Sequence, residues 1–183
     1  MKLQRSLIAL ATLMLAGTAT AQSSTDPGEG DVALFLSNIS ALPMYNVGYF
    51  FNDDVMGYGS LAYTNDDNDS GIALGLGARI YGAPGTSEHI RTYWNAGLHH
   101  AGEGFYRADG GLASFGALGG QMTETLTLSA DFGAEAELAP RLTIGAEVGL
   151  QWMDTETTTP AGNTNSNSIL SLGTADLTVN YYF

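Results

Sequence analysis

The sequence predicts an all-β chain, an eight-stranded antiparallel transmembrane β-barrel in up-and-down meander order, preceded by a signal peptide. Three observations predict it. The last stretch alternates Phe183, Tyr181, Val179, Leu177, Ala175 and Gly173 on one face with Tyr182, Asn180, Thr178, Asp176 and Thr174 on the other, the two-residue period of a strand. No helical period of 3.6 occurs after the first 21 residues. Charge in the alternating segments falls on the small, polar face and not on the bulky apolar one.

The N-terminus reads as a leader. Lys2 and Arg5 precede the apolar run 7–15, and Gly17-Thr18-Ala19-Thr20-Ala21 supplies small residues for cleavage before Gln22. The run is too short to span a membrane as a helix. Residues 1–21 are therefore assigned to the signal peptide, 22–31 to a polar, flexible arm and 32–183 to the barrel. The chain has no cysteine, so it offers no lipid attachment point and no disulfide. Beyond residue 21 only Arg79, Arg91, Arg107 and Arg141 oppose 19 acidic residues, a formal charge of −15. Such a chain repels nucleic acid and anionic surfaces.

The strands follow in order. Residues 32–37 form the first and residues 44–51 the second, with Tyr45, Val47, Tyr49 and Phe51 on one face. Asn52-Asp53-Asp54 is a turn, because Asn and Asp bond their own backbone. The third strand covers 55–64, and NDDNDS (65–70) is a polar loop. The fourth sets Ile72, Leu74, Leu76, Ala78 and Ile80 against Ala73, Gly75, Gly77, Arg79 and Tyr81. The fifth covers 91–103, with Trp94, Ala96 and Leu98 on its apolar face. Residues 105–124 are Gly-rich and read as a loop or as an extension of the neighbouring strands. The sixth strand opposes Leu126, Leu128, Ala130, Phe132, Ala134, Ala136 and Leu138 to Thr127, Ser129, Asp131, Gly133, Glu135 and Glu137. A turn at Ala139-Pro140-Arg141 leads to the seventh, 142–152, and a Thr/Asn-rich loop over 154–167 precedes the closing strand.

Charge decides which face meets lipid. Arg79, Arg91, Asp131, Glu135, Glu137, Glu147 and Asp176 all fall on the small face, so that face is the lumen and these residues form an ion-pair network inside it. A one-residue slip of the sixth strand would turn three carboxylates outward, which fixes its register. A soluble barrel would hold its apolar face inside. Tyr49, Phe51, Tyr81, Trp94, Tyr181 and Phe183 gather at one end and Tyr63 and Trp152 at the other, as two aromatic girdles.

VGYFFNDDVMGYGSLAYT (47–64), GLGARIYG (75–82), DFGAEAELAPRLTIGAEVGLQW (131–152) and the terminal VNYYF resemble the small eight-stranded outer-membrane β-barrel proteins of Gram-negative bacteria, the OmpA-transmembrane-like and opacity-type group. The resemblance implies an outer-membrane location. It also implies that Val179, Tyr181 and Phe183 act as the signal read by the barrel-assembly machinery. Its motifs are strand and turn patterns and imply no activity.

Three constellations are candidates for chemistry. Asp66, Asn68 and Ser70 echo the start of a calcium loop, but Gly77 stands where the bidentate acid belongs. A solvated acidic outer loop is the competing reading, and a weaker role has divalent ions bridging such loops to lipopolysaccharide phosphates. His99 and His100 point to opposite faces of a strand and cannot share a ligand; with Glu103 they lack the Ser that a lipid hydrolase of this architecture would need. The lumen charges read as a structural plug or as the lining of a narrow cation-favouring pore. The expectation is a non-enzymatic, monomeric surface protein with no cofactor, in contact with outer-membrane lipids and lipopolysaccharide and not with nucleic acid. The pore is the alternative, and a lipid-modifying enzyme carries less weight.

Overall fold

The computed structural model describes residues 27–37, 43–66, 69–83, 85–86, 89–102, 105–108, 111–114, 122–159 and 161–183. Ten strands occur there: β1 (Val32–Ser37), β2 (Met44–Asn52), β3 (Val55–Asp66), β4 (Asp69–Tyr81), β5 (Ile90–Gly102), β6 (Phe105–Ala108), β7 (Gly111–Ser114), β8 (Met122–Ala139), β9 (Leu142–Thr158) and β10 (Thr164–Tyr182). Eight of them close an antiparallel barrel in chain order, with β10 returning to β1. The remaining two, β6 and β7, pair only with each other, so the Gly-rich excursion between β5 and β8 carries a hairpin of its own.

Alternation builds the wall as the sequence predicts. Leu74, Leu76, Ile80, Trp94, Leu98, Leu128, Val148, Leu150 and Leu177 are exposed on the outside, while Arg79, Tyr93, Glu135, Glu147, Thr178 and Asn180 are buried inside. The apolar surface therefore encircles the barrel as a belt. Tyr81 departs from the expected girdle: it faces inward, 7% exposed, and stacks on Phe50. Its parity with Arg79 dictates that position.

Two loops are shorter than expected. β3 and β4 pair as far as Asp66↔Asp69, so Asn65, Asp66, Asp69 and Ser70 are strand residues where a polar loop was expected. β9 continues to Thr158 and β10 begins at Thr164, so most of 154–167 is strand. The reason is threonine. Its β-branched side chain suits a pleated surface, and Thr125 and Thr123 of β8 face Thr155 and Thr157 of β9 with Oγ1 atoms 3.3 and 3.4 Å apart.

One irregularity resets the closing strand. Between Leu172 and Thr174 the β9–β10 register shifts by one residue, with Gly173 at φ 75°, a conformation that glycine adopts without a Cβ penalty. Strict alternation counted back from Phe183 would turn Leu170 and Leu172 inward. The bulge turns them out, 68% and 81% exposed.

Short turns and both ends of the barrel's chain meet at one end, the terminal end. Part of the expected flexible arm is ordered there. Gly30 N donates to Phe50 O, Phe50 N to Asp31 O, and Glu29 N to Asp53 Oδ1. At the other end, the hairpin end, β8, β9 and β10 run 18, 17 and 19 residues against 6 in β1 and 9 in β2. These three strands rise well past their neighbours.

Candidate functional site

The lumen holds two ion pairs, one buried and one partly buried at its arginine, each clamped between aromatic rings. Arg79 of β4 donates from Nη2 to Glu147 Oε1 at 2.6 Å. Its Cζ lies 4.2 Å from the Phe35 ring centroid and 4.5 Å from that of Tyr93. Such stacking suits a weakly hydrated planar cation in a dry site. The second pair joins Arg91 of β5 to Glu135 of β8, with the guanidinium over the rings of Tyr81 and Tyr182.

Polar side chains then use the remaining lone pairs. Glu147 also accepts from Tyr93 Oη at 2.9 Å and from Asn95 Nδ2 at 3.1 Å, and Tyr58 Oη donates to Asn95 Oδ1 at 2.9 Å. Glu135 accepts from Tyr182 Oη, Thr143 Oγ1 and Asn180 Nδ2. Asn180 joins the two pairs: its Oδ1 accepts from Arg79 Nη1 at 3.1 Å and its Nδ2 reaches Glu135 Oε2 at 2.8 Å. The chain from Arg91 to Tyr58 is continuous and draws on β3, β4, β5, β8, β9 and β10. Buried charge is tolerable only when paired and hydrogen-bonded in this way.

The other predicted members lie to either side of these two pairs. Glu137 shares the parity of Glu135 but lies one step nearer the terminal end, where the β8–β9 register shifts between Glu137 and Ala139, and its side chain is exposed. Asp131 and Asp176 sit on the hairpin side of the plug. They line a cavity of about 40 Å³ together with His99, Ser129, Asn46 and Glu147. That volume holds about three waters.

The cavity brings together residues that the sequence left apart. Ser129 Oγ and His99 Cε1 both lie within 3.0 Å of the point a side chain on Gly97 would occupy, and a Cβ on Gly75 would meet His99 Cδ2 at 2.0 Å, so these two glycines make room for the imidazole. A serine, a histidine and an aspartate thus line one space. Its volume suits water. His100 points outward, exposed, and Glu103 lies outside the described residues.

The calcium candidate is only partly placed. Asp66 and Ser70 stand at the tip of the β3–β4 hairpin, and Asn68 lies outside the described residues. Among the described residues no three His, Asp or Glu side chains converge as metal ligands. Val179, Tyr181 and Phe183 share the outward face of β10, with the rings of Tyr181 and Phe183 edge to face at 4.9 Å. At the terminal end a cleft of about 580 Å³ opens between the Pro27–Asp31 turn and Thr86, with Arg91 and Tyr81 in its wall.

Tyr58, Asn95, Thr143, Asn180, Tyr93 and Tyr182 are network members that the sequence does not single out. For all but Tyr58, whose strand carries no assigned charge, the signal is parity: each shares a face with a charge assigned to the lumen. A scan against models of known protein families finds no match, and a search of curated proteins returns no significant relative.

Proposed function

We propose that the chain is an exported outer-membrane protein of Gram-negative type, a non-enzymatic barrel that contributes to surface integrity or interaction through its hairpin end. One observation carries the reading: an apolar belt surrounds a wall whose inside holds the charges. A water-soluble barrel gains nothing from exposing Leu172 at 81% and burying Arg79 at 1%. In a bilayer both placements are favourable, and a closed barrel satisfies its own backbone groups. The N-terminal basic, apolar and small-residue order supports export by a cleaved signal peptide. The outward aromatics of β10 support hand-over to the assembly machinery, and the belt supports contact with membrane lipid and lipopolysaccharide.

The packed lumen favours a plug over a pore. Arg79, Tyr93, Tyr182, Phe50 and Met56 are all fully buried across its section. The test is refolding into lipid vesicles, followed by flotation and electrophoresis with and without boiling. The expected result is protein that floats with lipid and migrates differently when boiled. A monodisperse, detergent-free soluble protein would overturn the reading.

A further inference from the structure

We propose that the free edge of β10 at the hairpin end pairs antiparallel with the same edge of a second copy held in a facing membrane. The inference rests on the membrane reading above.

The edge is open. β10 pairs with β9 from Thr164 to Tyr181 but meets β1 only from Val179 to Tyr182. Among the described residues nothing pairs with the other side of β10 from Thr164 to Thr178. β1 ends at Ser37, one residue past its last pairing with β10, Leu36↔Val179. Ser168 lies ten residues beyond Thr178, ~33 Å along the strand. Every residue of β10 from Thr164 to Leu170 is exposed, whichever face it occupies. Such a row of backbone donors and acceptors is a template for another strand.

The sequence of the edge matches itself. Thr164-Asn165-Ser166-Asn167-Ser168 is nearly a palindrome about Ser166. Antiparallel pairing there sets Asn165 opposite the second copy's Asn167, Thr164 opposite its Ser168, and Ser166 opposite its Ser166. Amides meet amides on one face and hydroxyls meet hydroxyls on the other, pairings that stabilise a ladder. No charge occurs from Thr164 to Ala175 in a chain of net charge −13, so this is a neutral seam on an acidic surface. Glu156, paired with Ser166 across β9, would stand three strand spacings from its counterpart, ~14 Å. That exceeds the screening length of ~8 Å at physiological salt.

Geometry selects the arrangement. β10 runs from the hairpin end toward the terminal end, so an antiparallel mate belongs to a barrel pointing the opposite way. Two copies in one membrane point the same way and cannot form this pair. Two copies on apposed membranes can, with their hairpin ends meeting. Each contact is small, and many copies on two surfaces supply the avidity.

The chain has no cysteine, so a single Ser166→Cys substitution gives a clean probe. Two vesicle populations would carry the variant with different tags, insertion being verified beforehand by the mobility shift on boiling. Mixing under oxidising conditions is expected to give a disulfide-linked dimer containing both tags, whereas Glu156→Cys gives none. Vesicles carrying wild-type protein are expected to cluster. Asn165→Lys/Asn167→Lys vesicles would lose clustering, and mixing them with Asn165→Asp/Asn167→Asp vesicles would restore it. Verified insertion without a two-tag dimer, equal linking by Glu156→Cys, or clustering that survives the lysine pair would each overturn the proposal. Failure to insert would show first, in the mobility assay, and would sink the membrane reading along with it.

Discussion

Arg79 of β4 and Asn180 of β10 stand 101 residues apart in the chain and share a 3.1 Å hydrogen bond inside the barrel. Through that contact the Arg79–Glu147 pair and the Arg91–Glu135 pair become one network. Replacing Asn180 with Ala removes the link and leaves Arg79 Nη1 without that acceptor. Destabilisation of ~1–3 kcal/mol is expected, read as a lower midpoint in urea unfolding from lipid vesicles.

Arg79→Ala should cost more, ~3–5 kcal/mol, because it strands the buried Glu147 carboxylate. Combining Arg79→Met with Glu147→Gln removes both charges and keeps much of the volume. The double variant should unfold later than Arg79→Met alone. If Arg79→Ala left unfolding unchanged, the plug would contribute nothing to stability.

Two glycines of the wall should respond in opposite ways. A Cβ on Gly149 would meet the backbone of Ala130 at 2.3 Å and of Asp131 at 2.6 Å, atoms held by the β8–β9 ladder. Gly149→Ala is expected to cost ~1–3 kcal/mol. At Gly59 the nearest atom is 4.0 Å away, so Gly59→Ala should be tolerated. Equal effects at the two sites would contradict this packing.

Leu128 sits in the outward belt, 45% exposed. In a bilayer, Leu128→Arg should lower folding free energy by ~2–4 kcal/mol if the site lies near the midplane. A water-facing site would accept the same change almost freely. Refolding yield into vesicles against urea concentration separates the two.

With the section filled by Arg79, Tyr93 and Tyr182, purified protein in planar bilayers is expected to give no stepwise conductance. Regular cation-selective steps would restore the pore.

Alternation made most of the wall legible before any coordinates, because a two-residue period assigns every side chain to a face. β1 matches its expected residues, and the faces of β4, β5, β8 and β9 hold throughout. What alternation cannot carry is the partner across the lumen. Arg79 meets Glu147 only because closure sets β4 facing β9, whereas Arg91 and Glu135 stand opposite each other in the β5–β8 ladder. Glu137 was assigned to the lumen by parity and lies beyond its end, since parity says nothing of height. The Gly173 bulge escaped for a similar reason: one inserted residue reverses every face that precedes it. Threonine and asparagine in 154–167 read as loop residues by polarity, although Thr is also a good strand former.

The seam between β1 and β10 also dictates when the barrel can exist. Ala33 pairs with Tyr182, a closing contact that spans roughly 150 residues, so the loop-closure entropy must be met before any lumen is sealed. Until that contact forms, Arg79 and Glu147 have no lumen to share, and the apolar strands have no closed wall to belong to.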